Sequence, residues 1–293
     1  MIGSLHKSEK RTQGIAIAII LIFVILPYAV PGTEYSEKNN MLEVPAREIL
    51  AKIQAGEPVE YDHVIVKGDL NLNQLELPAK CVNREWEQID YYSSIYHGSV
   101  LGFMRSTFHA FFTNATLVKS PIRIRYSRIE GMVDFSNAIF QSKSIDFSST
   151  KFRGHAYFNG SQFTNSTSFG YSKFNDSVSF SGSQFNGRAD FFGSQFNGLA
   201  DFSGSQFNSD VNFWASQFNG LSVFPLSHFN GSATFGSCLF NKYVDFSDSK
   251  FNSDATFYRS KFNNLTTFGN AIFQKEVYFS DSEFNGGHYL DFQ

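Results

Sequence analysis

The residues of this chain best suited to chemistry are its histidines and cysteines, since imidazole and thiolate are common zinc ligands, bases and nucleophiles. The histidines are His6, His63, His97, His109, His155, His228 and His288, spread over the whole length. None stands at ligand spacing from a second metal-binding side chain. Cys81 and Cys238 lie far apart and form no C-x-x-C pair, so neither a zinc site nor a disulfide framework is expected. The glycines fall in no G-x-G-x-x-G or phosphate-loop context. No catalytic residue, cofactor or metal is expected; His155 and His228 read as solvated surface and Cys238 as a small core thiol. Asn-x-Ser/Thr triplets at Asn114, Asn159, Asn165, Asn175, Asn230 and Asn264 are glycan acceptors if the chain is exported. A Ser-rich repeat with Asn at fixed places also generates such triplets by itself.

The elements that must position any of these residues are set by phenylalanine, which supplies 35 of the 293 residues. From 147 to 284 it returns at alternating steps of five and six, giving 26 centres without a miss. They begin Phe147, Phe152, Phe158, Phe163, Phe169, Phe174, Phe180, Phe185 and Phe191. Phe196, Phe202, Phe207, Phe213, Phe218, Phe224, Phe229, Phe235 and Phe240 continue. Phe246, Phe251, Phe257, Phe262, Phe268, Phe273, Phe279 and Phe284 complete the row. A short fixed period marks a repeat architecture.

Two residues before each Phe sits a small residue, such as Ala200, Ser205, Val211 or Ser216, and the residue between is usually polar, such as Asp201, Gln206, Asn212 or Gln217. Small-polar-Phe is a period of two, with the small residue and the ring facing inward. Steps of five and six would scatter the rings around a helix, and the Gly, Asn and Ser between them disfavour helix interiors. Alternate centres are followed by Asn and often Gly, as in Asn186-Gly187, Asn197-Gly198, Asn219-Gly220 and Asn230-Gly231. Both tolerate positive φ, so this corner is expected to hold the extra residue of the six-step. That residue is Arg188, Leu199, Asp210, Leu221, Ser232, Tyr243 or Asp254 in successive corners.

The unit Ala200-Asp201-Phe202-Ser203-Gly204 resembles the pentapeptide-repeat family, in its Phe-centred branch with alternating spacing. The resemblance covers 124–293 well and 61–77 partly. It implies an all-β fold, a right-handed quadrilateral β-helix with four sides per coil, in which Phe is expected to stack on Phe 22 residues on and Leu290 to continue the ladder of Phe158, Phe180 and Phe202. The chain departs from the family pattern by two extra residues per coil. Some members mimic DNA and bind topoisomerase, a role that implies a strongly acidic rod. Here net charge is −3, and 118–293 carries 14 Lys+Arg against 14 Asp+Glu. A neutral repeat gives no reason to expect DNA mimicry or nucleic-acid binding.

Upstream, Lys7, Lys10 and Arg11 precede an uncharged apolar run, 14–30, close to the shortest length that spans a bilayer. Basic residues before such a run stay in the cytoplasm, so the repeat is expected outside it. Two readings stand: a membrane anchor through 14–30, or a signal cleaved to release a secreted chain. The chain divides into 1–32 (basic segment and anchor or signal), 33–44 (linker), 45–56 (a helix capping the first coil), 57–117 (a partial coil plus an irregular insertion) and 118–293 (the repeat). In 57–77 the centres are expected at Val64, Leu70 and Leu75, and later at Phe112, Leu117 and Ile124, where a seven-residue step predicts a bulge. The aromatic stretch 76–111 fits no register and reads as an excursion on the side of the stack or as irregular coils; a ligand pocket there is the less favoured alternative.

The expected function is a structural or protein-interaction module with an unnamed protein partner. It would contact that partner through residues that vary between the rings, including Gln206, Asn208, Asp210 and Trp214. The last coil offers an open sheet edge through which a homodimer is expected.

Overall fold

The computed structural model describes residues 41–96 and 99–289. Residues 1–32, with the expected span 14–30, lie outside the described residues, as does Leu290. Among the described residues no helix is long and apolar enough to cross a membrane.

After residue 118 short strands recur, of two residues each except Ile122–Arg125 and Ala138–Phe140, and pair only in parallel, each with its counterpart one coil away. Four sheets result, one of ten strands and three of nine, so the chain winds as a right-handed, four-sided β-solenoid of about ten turns. In chain order the sides carry the ladders of Phe196, Phe202, Phe207 and Phe213, here the first to fourth sides. Each side buries one small residue and one ring, though its two-residue strand includes only one of them, as Phe207 in Gln206–Phe207 and Ala200 in Ala200–Asp201.

The centres from Phe147 to Phe268 are buried, while Phe273, Phe279 and Phe284 are partly buried. Rings 22 residues apart stack, as Phe202 on Phe224 at 5.0 Å and 1°. Neighbouring ladders meet edge to face, as Phe202 and Phe213 at 5.3 Å and 87°. Both geometries suit the ring quadrupole and add about 0.5–1.5 kcal/mol per pair beyond burial.

The first coil is built from β1 (Leu42–Pro45), α1 (Ala46–Ala55), β2 (Val59–Asp62), β3 (Val64–Lys67) and β4 (Leu70–Asn71). Residues 42–44, expected as linker, are therefore strand, and β1 is parallel to β3. Ala46, Ile49, Leu50 and Ile53 form the buried stripe of α1. The helix is tied to β2 by Tyr61, whose hydroxyl donates to Glu48 Oε1 at 2.6 Å and whose ring lies under Lys52 Nζ at 4.6 Å. Gly56, at φ 73°, ends it.

The register of this coil differs from expectation. Val66 pairs with Ile129 and Leu70 with Val133, so the centres are Val66 and Leu72, not Val64 and Leu70, and Leu75 is only partly buried. The cause is that both inward positions of a side are aliphatic here, so the small position mimics a centre. Likewise Val118 pairs with Phe140, and Leu117 with outward Ile139. The step from Val118 to Ile124 is then the ordinary six, and no bulge is needed there. From Phe140 to Phe147 the step is seven, so one extra residue is held there, as such a step predicts.

Residues 76–111 are not irregular coils. They lie mostly in a long antiparallel hairpin, β5 (Ala79–Tyr96) and β6 (Ser99–Val118), paired from Ala79–Thr116 to Tyr96–Ser99. Only the end of β6 enters the solenoid, through Thr116, Leu117 and Val118.

The corners also reverse the expectation. From Ile124 on, positive φ is found two residues after each second- and fourth-side centre, as at Gly204 (62°), Ala215 (60°), Leu226 (56°) and Ser237 (54°). No positive φ occurs at the Asn-Gly corners. Those glycines serve close approach instead: a Cβ at Gly187 would lie 2.5 Å from Asn165 C and Ser166 N in the coil before. Asn at these corners forms ladders. Asn208 Nδ2 donates to Asn186 Oδ1 at 2.8 Å and Asn230 Nδ2 to Asn208 Oδ1 at 2.8 Å. A second ladder runs Asn219 to Asn197 and Asn241 to Asn219.

Candidate interaction surface

The residues first considered for chemistry are kept apart by the fold. His63 stacks on Tyr126 at 5.1 Å, His155 Nδ1 lies 3.3 Å from an Asp176 carboxylate oxygen, and His228 is on the outward face of the third side. His6 and His97 lie outside the described residues. Among the described residues no three His, Cys, Asp or Glu side chains come close enough to share a metal ion.

Cys238 is buried, and its Sγ–H donates to the Phe213 carbonyl at 2.9 Å. Burial pushes this thiol far above the ordinary cysteine range, so it stays protonated and unreactive. It replaces a serine used in most coils: Ser194, Ser205, Ser216 and Ser227 donate to the carbonyls of Phe169, Phe180, Phe191 and Phe202 at 2.7–2.9 Å. Asp62 forms a two-point pair with Arg125, Oδ1 to Nε at 3.0 Å and Oδ2 to Nη2 at 2.7 Å. The guanidinium holds this carboxyl below the usual carboxylate range. Asp245 is buried, but it accepts from the Tyr243 hydroxyl at 3.0 Å and from Ser247 N at 2.8 Å, which gives it a structural role. Of the glycan acceptors, Asn230 sits inside an asparagine ladder, while Asn264 is exposed and its Oδ1 accepts from Leu265 N.

What the fold does bring together lies on the fourth side. At its positive-φ corner, aromatic side chains break the repeat in several coils: Tyr171, Phe192, Trp214 and Tyr258. Tyr171 meets Phe192 edge to face at 5.2 Å, and Trp214 reaches Tyr258, two coils on, at 6.3 Å. It can do so because the intervening coil has Gly236, where a Cβ would stand 2.3 Å from the Trp214 ring. Gly193 makes room for Tyr171 in the same way, at 2.9 Å. The Arg259 guanidinium covers Tyr258 at 4.9 Å.

Beside this column is an open cleft of ≈ 330 Å³ that crosses the whole side over three coils. Phe192 and Trp214 wall one edge, and Arg188, Asp210 and Ser232 the other. Asn212 and Thr234 lie between them on the strand face. Asp210 Oδ1 accepts from Ser232 N at 2.9 Å, and Asn212 Oδ1 from Trp214 N at 3.0 Å, which fixes both side chains. Asp210 and Trp214, expected to face a partner, are thus in one cleft. Asn208 is engaged in its ladder, and Gln206 lies on the third side. Arg188, Phe192 and Thr234 were missed, although the 22-residue period gives Phe192 from Trp214 and Arg188 from Asp210.

The strand pairs at 22 residues, four to a coil, agree with a comparison against protein families. Residues 147–195 and 169–217 match the family described as pentapeptide repeats (9 copies). Over these residues the chain is built of pentapeptide repeats. Neither a curated protein nor a solved structure matches it. The cleft lies within and just beyond the matched stretch, so its aromatic column varies the repeat without interrupting it.

Proposed function

We propose that the chain is a non-enzymatic scaffold and interaction module, with the fourth side as its contact face. The observation that carries this reading is the aromatic column beside a polar cleft, on a solenoid whose histidines, cysteines and carboxylates are otherwise dispersed. Tyr171 is exposed and Phe192, Trp214 and Tyr258 are half-buried, and rings with fixed polar neighbours are the usual makeup of a recognition surface. The neutral charge of the repeat argues against DNA mimicry. Helix α1 fits the role of a cap over the first coil, because its apolar stripe packs on β1, β2 and β4.

We place the solenoid outside the cytoplasm, tethered through 14–30, on the strength of the apolar run and its preceding basic residues. The alternative is secretion after cleavage. Membrane fractionation with alkaline carbonate tests this: the full-length chain should stay in the pellet, and protease added to intact cells should reach the solenoid. A soluble cytoplasmic pool would remove the assignment.

A homodimer through the last described coil has its own support. Glu283–Phe284 and His288–Tyr289 end their sheets, and Phe279 and Phe284 are only partly buried. Among the described residues these strands pair on one side only, and a strand edge left unpaired favours pairing with a second copy. A monomer by light scattering at high micromolar concentration would exclude it.

A further inference from the structure

We infer that the fourth-side cleft binds a neutral saccharide, laid along the solenoid axis with its C–H face against Trp214 and its hydroxyls on the polar floor. The inference rests on the reading of this side as the contact face and names its ligand class.

The argument starts from the mixture of groups. Trp214 and Phe192 supply apolar ring surface, whose electron-rich faces attract C–H groups carrying slight positive charge. Directly beside them stand an acceptor (Asp210), a donor (Arg188) and groups that do both (Asn212, Ser232, Thr234). A sugar ring has this same division, an apolar C–H face bordered by hydroxyls that both donate and accept. One cation and one anion border the cleft, so neither charge sign of ligand is favoured. Arg188 is exposed and makes no ion pair or side-chain hydrogen bond with a described residue, which leaves its guanidinium available.

Pre-organisation points the same way. The Trp214 ring occupies the space that any side chain at 236 would fill, and Asp210 and Asn212 are each held by a backbone N–H. A proline-rich peptide also uses aromatic grooves, but it offers few hydrogen-bonding groups to such a floor. The cleft volume, ≈ 330 Å³, is at the small end for ligand sites, enough for a short unit of a longer chain. Coils follow one another at the strand spacing of about 4.8 Å, and Phe192, Trp214 and Tyr258 hold the same position in their coils with Gly236 between the last two, so a polymer lying along the axis would meet these three rings.

The test is calorimetric titration of the full-length chain with cellohexaose, chitohexaose, maltohexaose and decaproline. At least one oligosaccharide should bind saturably. Trp214→Ala should weaken it about tenfold or more, the equivalent of losing one good ring contact. Gly236→Ala, which displaces the Trp214 ring, should weaken it too with little change in melting temperature. Gln206→Ala, on the third side, should bind as wild type. Absence of binding by all three oligosaccharides at millimolar concentration overturns the inference, as does binding that Trp214→Ala leaves intact. Trp214-dependent binding of decaproline alone would overturn the saccharide while leaving the contact face standing. Binding of none of the four would remove the cleft as a contact site as well.

Discussion

The hydroxyl of Ser205 donates to the carbonyl of Phe180, 25 residues earlier, at 2.9 Å. That carbonyl already accepts from Ser183 N at 2.9 Å, so the serine supplies its second partner in a place water does not reach. The small inward position on these sides is therefore a polar link between coils. Ser205→Ala should cost about 0.5–1.5 kcal/mol, the net worth of one such bond, read from urea denaturation. Ser205→Cys should cost less, since Cys238 makes the same contact to Phe213. Equal losses in the two variants would show that packing alone matters here.

A ring and its neighbour should differ, but not as completely as alternation implies. Phe202 is buried in two kinds of ring contact, so Phe202→Ala should cost about 3–5 kcal/mol. Asp201 faces outward, yet its Oδ1 accepts from Ser203 N at 2.9 Å and Ser203 Oγ at 2.6 Å, closing the turn. Asp201→Ala should cost about 1 kcal/mol, where the sequence alone suggests no loss. Thermal denaturation of both variants decides the ranking, and comparable losses would refute the inward and outward assignment.

These cases mark how far the sequence can be read. A repeat of short inward-facing strands was legible because the Phe period is set by burial, the strongest constraint on the chain, while its four sides per coil came from the resemblance to the pentapeptide-repeat family. The hydrogen bonding of Ser205 was not, because serine in that position looks merely small. Register failed at Val64, Leu70 and Leu117, where aliphatic residues fill neighbouring positions and no ring marks the centre. The hairpin of β5 and β6 escaped because its pairing is between strands and leaves no period. In the cleft, Trp214 and Asp210 stood out as departures from the repeat. Their convergence with Phe192 and Arg188 required the 22-residue register to be applied to the departures themselves.

The two corner types should lose stability to the same substitution for different reasons and to different degrees. Gly204 has φ 62° and open space where a Cβ would go, so Gly204→Ala should lose only the left-handed backbone penalty, about 1 kcal/mol. Gly187 has no positive φ, but its Cβ would fall 2.5 Å from the backbone of Asn165 and Ser166. Gly187→Ala should force the coils apart and cost about 1–3 kcal/mol, as overpacking does. A larger loss at Gly204 than at Gly187, by equilibrium unfolding, would reverse the roles given to these corners.

Cys238 and Cys81 should separate in both reactivity and pH dependence. Cys81 is exposed and Cys238 buried, so a thiol reagent should label one cysteine in the native chain and two in urea. The folded-state Cys238 thiol is raised by burial, so it stays neutral while the same thiol in the unfolded chain ionises above about pH 8.5. A group with a raised folded pKa contributes fully below its unfolded value and loses that contribution as pH rises beyond it. Stability should therefore fall from pH 8 to pH 10 more steeply in the wild-type chain than in Cys238→Ser, where Ser restores the usual donor to the Phe213 carbonyl. Cys81 is present in both proteins, and its effect cancels in the difference. Parallel pH profiles, or two labelled thiols in the native chain, would mean that Cys238 reaches solvent and that the coil around Phe213 opens far more readily than its packing implies.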